Sequence, residues 1–341
     1  MKELIENVPS KSDYKKRSEK VCFSYPGNQN HFQTGYYGID ADVSIAGTLH
    51  LKFSSSKPLL ATKIELILKG YEKVEWVETY GQTTITYSAN DVFLNQPLQL
   101  WKTSDPNEDY ENIQIMDIPF EIKLPENLPP SIKIDQGEGK INYKLIANIN
   151  RKGNLWKFKR SEKCVELSIN LDKYFPPPTD LNPFNWYQFD DSEAISRGLG
   201  YNITLENSIG GPNIPFIINS LLKFYNQDFK ITKIFFGIKE YHKLSTKANS
   251  KKSSFYIVEK IIKREEIYSN YNDEIKLQTE LEIPEWIEKN KKNPCWDIND
   301  RKHIIVSHKV KIKIHCGGMF TSNIKLDNEV EIKNFILENH G

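Results

Sequence analysis

The chain has 341 residues, enough for two domains of ordinary size, and its 38% hydrophobic, 12% aromatic and 27% charged residues describe a globular chain rather than a disordered one. Lys+Arg 46 against Asp+Glu 45 leaves a net charge of +1, so no chain-wide basic field exists for nucleic acid, and a charge-driven partner must meet a local patch. A mean hydropathy of -0.56, without a long unbroken apolar stretch, argues against a helical membrane span, and the polar Met1–Lys20 does not read as a secretory leader.

A period of two then runs along the chain. Val43, Ile45, Gly47, Leu49, Leu51 and Phe53 fall on one face, and Ser44, Ala46, Thr48, His50 and Lys52 on the other. That alternation is the mark of a half-buried antiparallel strand. Ile64, Leu66 and Leu68 repeat it, as do Ile141, Tyr143, Leu145, Ala147 and Ile149, and then Val165, Leu167, Ile169 and Leu171. Pro125, Pro129 and Pro130 stop one strand, and Gly137 and Gly139 permit the turn into the next. The triple proline of Pro176-Pro177-Pro178 cannot sit in a central strand and reads as a stiff spacer. It divides the chain into an N-terminal extension 1–20, a first sandwich 21–172, a Pro-rich linker 173–183 and a second sandwich 184–337.

In the second half, Ile203 and Leu205 form a short run, and Pro215–Tyr225 reads as a strand or a helix, with the strand preferred. Lys247–Ser254 and Glu288–Asn293 read as polar loops, the first of them mobile. Val306, His308, Val310, Ile312 and Ile314 face one way, Ser307, Lys309, Lys311 and Lys313 the other, and Ile324, Leu326, Val330 and Ile332 close the pattern. Many strands without long helical segments predict an all-β chain of two sandwiches.

No catalytic signature stands out. Gly198-Leu199-Gly200 lacks the third glycine of a dinucleotide loop, and neither a Walker lysine nor His-Glu-x-x-His nor Gly-x-Ser-x-Gly is present. Asp190-Asp191-Ser192-Glu193 lacks the spaced ligands of a calcium loop and reads as a solvated acidic turn. His308, on an apolar face, reads as a hydrogen-bonded core histidine rather than a ligand or base. Cys22, Cys164, Cys295 and Cys316 are scattered, without C-x-x-C spacing, and read as free thiols. No enzyme activity, metal or cofactor is expected.

The stretch Arg151 to Arg160 is different. It joins two predicted strands, so it reads as a hairpin with Trp156 and Phe158 inward and Lys157 and Lys159 outward. With Lys144 on the outer face of the partner strand, Lys144, Arg151, Lys152, Lys157, Lys159 and Arg160 make a candidate basic patch for an acidic or phosphorylated segment. The competing reading is a solubilising face that discourages edge pairing. The Lys309, Lys311 and Lys313 ladder reads as such a face, with anionic lipid as its alternative ligand.

Four stretches carry a resemblance: Gly47–Leu51 with Ala61–Val74; Ile118-Pro119-Phe120 through Leu128-Pro129-Pro130-Ser131; Gly139–Ala147; and Arg301–Ile314. In this order and spacing the chain resembles the arrestin superfamily, and its α-arrestin branch most closely. Thr103–Asn112 is acidic, carries Pro106 and lacks the apolar stripe of the helix found there in visual and β-arrestins, and Leu128–Ser131 favours α-arrestins over the retromer-type relatives. The resemblance implies two curved sandwiches and a cytoplasmic, non-enzymatic adaptor, peripheral at plasma membrane or endosomes. Such an adaptor binds acidic or phosphorylated tails of membrane proteins for endocytosis or sorting. Pro176–Thr179 and Pro129–Ile132 both lack the Tyr of a Pro-Pro-x-Tyr motif, and no tail with that motif follows the last strand. Any HECT-type ubiquitin ligase is therefore expected to be reached by another route. A retromer-like sorting subunit and a β-sandwich carbohydrate hydrolase are the alternative readings.

Overall fold

The computed structural model of the protein describes residues 19–27, 31–104, 110–134, 137–152, 161–178, 198–226, 229–267, 274–284, 293–317 and 323–336, and the backbone of 184–188. The chain divides into two units, Met1–Lys173 and Tyr174–Gly341.

The first unit opens with β1 (Val21–Ser24), β2 (Gln33–Thr34) and β3 (Ser44–Lys52). A long hairpin follows, β4 (Leu59–Tyr80) and β5 (Thr83–Lys102), and then β6 (Glu111–Ile113) and β7 (Ile115–Lys123). β8 (Ile132–Ile134), β9 (Gly139–Arg151) and β10 (Glu162–Ile169) complete the unit. One sheet holds β1, β2 and β7 against β3; the other runs β10-β9-β4-β5, with β6 on β4 and β8 on β9. Both obey the period of two. Ile45, Leu49 and Leu51 of β3 are buried, as are Ile64, Leu66 and Leu68 of β4, Leu145 and Ala147 of β9, and Val165 and Leu167 of β10. The proline-rich connection between β7 and β8 is pinned to the sheets by side chains. Asn127 turns it through a left-handed φ of 65°, which Asn tolerates better than most residues. The Tyr37 hydroxyl donates to the Pro125 carbonyl at 2.6 Å and accepts from Leu128 N–H at 2.6 Å. Tyr143 donates to the Pro129 carbonyl at 2.6 Å, and Ser131 N–H donates to the Leu171 carbonyl at 2.9 Å. Leu128, Pro129 and Pro130 are buried as a result.

The second unit contains β11 (Phe184–Gln188), β12 (Leu199–Leu205), β13 (Ile209–Gly210), β14 (Phe216–Phe224), β15 (Lys230–Ser245) and β16 (Ser250–Lys263). It ends with β17 (Glu274–Leu281), β18 (Ile304–Gly317) and β19 (Ile324–Ile332), after a single helical turn α1, Arg264–Ile267. The sheets run β11-β12-β14-β17 and β13-β19-β18-β15-β16. One apolar core joins them: Leu199, Ile203, Phe216 and Ile218 of the first lie in the same cluster as Phe236, Ile238, Val310 and Ile312 of the second. The ambiguous Pro215–Tyr225 segment is a strand, with Phe216, Ile218, Ser220 and Leu222 turned inward. The proline spacer begins docked within this unit, since Phe175 N–H donates to the Asn334 carbonyl at 2.8 Å and Ile336 N–H to the Phe175 carbonyl at 3.1 Å.

The expectation of a mobile loop over Lys247–Ser254 is corrected. Only Thr246–Asn249 turns, closed by a Thr246 N–H to Asn249 carbonyl bond of 2.8 Å, and β16 begins at Ser250. It pairs with β15 from Ser245↔Ser250 to Lys239↔Tyr256 and, past a one-residue irregularity, from Ile238↔Val258 to Lys233↔Lys263. β16 is an edge strand, where charged side chains are tolerated and discourage pairing with other chains. The expected loop Glu288–Asn293 and the acidic turn Asp190–Glu193 lie outside the described residues, Asn293 excepted.

The pinned proline loop is testable. Tyr37→Phe removes both hydroxyl bonds and leaves the Pro125 carbonyl and the buried Leu128 N–H without them. The expected loss is about 1–3 kcal/mol, read in urea denaturation; a change of only a few tenths of that would show that the loop finds substitute partners.

Candidate functional site

The predicted basic hairpin is formed at its base: β9 and β10 pair antiparallel from Tyr143↔Ile169 to Asn150↔Glu162. Lys157, Lys159 and Arg160, with Trp156 and Phe158, lie outside the described residues. Lys144 is placed on the outer face but largely covered: its ammonium lies 3.2 Å from Glu166 Oε2 and 5.1 Å from the Tyr71 ring centre, and its side chain is 17% exposed. Arg151 and Lys152 end β9, held by an Arg151 N–H to Ser161 carbonyl bond of 2.7 Å and a Lys152 N–H to Leu60 carbonyl bond of 3.1 Å. The Lys152 ammonium sits 5.7 Å from the Tyr110 ring centre.

The structure adds two cations that linear reading missed, because they come from other elements. Lys20 precedes β1 and Lys163 lies on β10, and both ammonium groups approach the Phe53 ring, at 5.6 and 5.9 Å from its centre. Burial lowers the pKa of Lys163, and the like charges of Arg151 and Lys20 lower it further. An open groove beside them is lined by Thr62, Tyr110, Asn150, Arg151, Ser161 and Glu162. Lys20, Arg151 and Lys163 thus gather at this corner of the first unit, with Glu162 beside the groove.

A second surface feature is the far end of the β4–β5 hairpin. β9 pairs with β4 only as far as Val74↔Gly139, whereas β4 and β5 pair to Tyr80↔Thr83. Among the described residues the last turns of this hairpin thus form a two-stranded ribbon. Gly81 closes it with φ 62°, as the first central position of such a turn requires. Trp76 is buried and stacks on Tyr87, with ring centres 5.4 Å apart, while Val77 and Tyr80 are 54% and 59% exposed. The ribbon is anchored at its root by a close approach. A Cβ on Gly70 would fall 2.6 Å from the Phe93 ring, so glycine there makes room for that ring.

In the second unit the lysine ladder is partly neutralised by the neighbouring strand. Lys309 lies 3.3 Å from Glu329, and Lys311 pairs with Asp327, whose carboxyl the Lys311 ammonium holds below its usual range. Lys313 stands opposite Lys325.

Beneath that ladder the inner face of the same sheet holds a charged cluster. Along β15 the inward positions Ile234, Phe236 and Ile238 are followed by Glu240 and His242, 0% and 1% exposed. His242 Nε2 lies 2.5 Å from Glu240 Oε1. Directly across on β18, His308 places Nε2 3.4 Å from Glu240 Oε2 and Nδ1 3.0 Å from Asp297 Oδ2. Burial alone would raise the Glu240 pKa, but hydrogen bonds and charge from His242 and His308 outweigh it and bring it down to about 2. Burial likewise works against His308, and Asp297 and Glu240 overcome it and lift its pKa to about 9. His308 is thus the hydrogen-bonded core histidine that its strand position predicts, and it is held as an imidazolium between two carboxylates.

Replacing His308 by Leu leaves two buried carboxylates short of a shared cation. The expected cost is about 3–5 kcal/mol, as for other buried ion pairs broken on one side, seen as a lowered denaturation midpoint. A change below about 1 kcal/mol would mean that the cluster protonates and relaxes without loss.

No helix among the described residues is long and apolar enough to cross a membrane. No curated protein matches the chain. Residues 30–173, which span most of the first unit, match the family described as arrestin (or S-antigen), N-terminal domain. The first of the two β-sandwich units is therefore similar to an arrestin N-terminal domain, of a family whose members are generally non-enzymatic trafficking adaptors.

Proposed function

We propose that the protein is a cytoplasmic adaptor of the α-arrestin kind. It binds acidic or phosphorylated tails of membrane proteins and couples them to endocytosis or endosomal sorting, peripherally at plasma membrane or endosomes. The observation that carries this reading is the crowding of Lys20, Arg151 and Lys163 at the base of the β9–β10 hairpin of a unit similar to an arrestin N-terminal domain. Lys152 adjoins that surface, Lys157, Lys159 and Arg160 are the further cations that the sequence assigns to the hairpin, and Lys144, engaged by Glu166, contributes least. Each exposed ion pair supplies only about 0–1 kcal/mol, so recognition depends on several acting on one ligand, reinforced by the membrane that holds cargo and adaptor together.

The test is the double variant Lys157→Glu, Lys159→Glu, first shown to melt at the parent's temperature. Binding to a multiply phosphorylated acidic peptide is expected to fall by up to about tenfold. Parent binding itself should weaken with salt, as the Debye length shrinks from about 10 Å at 0.1 M to 3 Å at 1 M. Parent-level binding by the variant places cargo elsewhere, with the exposed ribbon of β4 and β5 as the next candidate.

Recruitment of a HECT-type ligase, on the same reading, proceeds without a direct WW contact. Pro129 and Pro130 are buried, and neither proline run is followed by the Tyr that a WW groove reads. Calorimetry with isolated WW domains is expected to show no binding; micromolar affinity would redirect attention to Phe175–Pro178.

A further inference from the structure

We propose that Glu240, His242 and Cys295 form a buried structural site for a divalent transition metal, zinc by the nature of its donors. The inference does not depend on what the outer surface binds. Glu240 and His242 are two residues apart on β15 and so share its inner face. Cys295 arrives from a separate covering segment, and all three are buried. Their ligand atoms, a carboxylate oxygen, an imidazole nitrogen and a thiol sulfur, lie within 4.8 Å of one another, the one such group among the described residues.

The covering segment is fixed over the sheet. Cys295 N–H donates to Glu240 Oε2 at 2.9 Å. Asp297 N–H donates to the Ile332 carbonyl at 3.1 Å, and Ile298 and Val306 exchange two backbone bonds of 3.0 Å. The thiol is thereby carried by backbone anchored at Cys295 itself and at the residues that follow it.

A second layer orients the donors. His242 presents Nε2 to Glu240, while its Nδ1 lies 3.4 Å from the Ser253 hydroxyl on β16. Glu240 presents Oε1 to His242, and its Oε2 is occupied by the Cys295 N–H and by His308, which is itself held by Asp297. Hydrogen-bonded second partners of this sort fix the tautomer and direction of metal ligands. One mixed sulfur, nitrogen and oxygen set suits zinc, whereas magnesium and calcium require oxygen donors. Carboxylate and thiolate together supply the two negative charges that neutralise a dication, so metal entry buries no net charge. With Zn–N and Zn–O distances of about 2.0–2.2 Å, the metal would stand between Oε1 and Nε2 at a ligand separation of about 3.3 Å. It replaces the proton that bridges them at 2.5 Å and moves them less than an ångström apart. Three protein donors leave the fourth position to a water, a coordination otherwise typical of catalytic zinc; it is the burial of all three donors that assigns the metal a structural role here.

The experiment uses the full chain, purified without chelator, with metal measured by mass spectrometry and then replaced by Co²⁺. The expected results are roughly one zinc per chain, a thiolate-to-cobalt band in the near ultraviolet at one equivalent, and a melting temperature raised by Zn²⁺. Cys295→Ser should lose the band and the zinc-dependent rise, whereas Cys316→Ser, altered at the other end of β18, keeps both. A parent protein that carries no zinc and gives no near-ultraviolet band overturns the proposal and leaves a proton-bridged cluster. A band that survives in Cys295→Ser overturns it equally. The parent measurements need no variant to fold.

Discussion

The first unit depends on the pairing of one strand. β4 runs unbroken for 22 residues and is hydrogen-bonded to β6, β9 and β5. Because side chains alternate strictly along a strand, a slip of one residue in β4 would turn Ile64, Leu66, Leu68, Val74 and Trp76 outward together. The burial of these five residues therefore fixes the register of three neighbours at once. Extra residues are absorbed where they do no harm to that register, at the irregularities by Ile64/Glu65 and Gly70/Tyr71 on the β5 side. The β9 side stays in step from Lys63 to Val74, and β9 is the strand that delivers Arg151 and Lys152 to the basic corner.

The second unit tolerates an exception to the same rule. Its inner sheet face should be wholly apolar, yet Glu240, His242 and His308 occupy three adjacent inward positions. Isolated charges there would be prohibitive. They persist because they neutralise one another and because Asp297 and the Cys295 N–H reach them from outside the sheet. Buried ion pairs are seldom the most stable solution when compared with a well-packed apolar core. A charged cluster at such a position is consistent with a role that apolar residues cannot fill, and metal ligation is one that buried carboxylate, imidazole and thiol groups can serve.

What the sequence made legible follows the same physics. Strands with one wet and one dry face, such as β3, β9 and β18, announce themselves by alternation. β5 and β16 do not. β5 is exposed or half-exposed along almost its whole length, and β16 carries Lys251 and Lys252 on a sheet edge, so no apolar stripe marks either one. Their strand conformation comes from a partner's hydrogen bonds, which a local pattern does not contain. His308 was legible because it interrupts a regular apolar face. Cys295 and Asp297 were not, since nothing local says that the segment around Trp296 folds back over β15 and β18. The basic hairpin was visible as a run of charge, but Lys20 and Lys163 join it only through the pairing of β1 with β3 and β10 with β9.

That convergence bears on what the basic corner is for. Lysines that serve only solubility gain by standing apart, since crowding like charges costs energy in proportion to their proximity. Here Lys163 is partly buried, with Arg151 and Lys20 near enough to depress its pKa, and two of the three lie against the Phe53 ring. Like charges are thus brought closer together at this corner than a dispersed arrangement of the same residues would place them. On the proposed reading, a carboxylate or phosphate docked in the adjoining groove is attracted by these gathered cations and offsets their crowding. On the adaptor reading proposed above, an attraction assembled from several weak and screenable contacts differs from one deep pocket in that no single contact sets the lifetime of the complex.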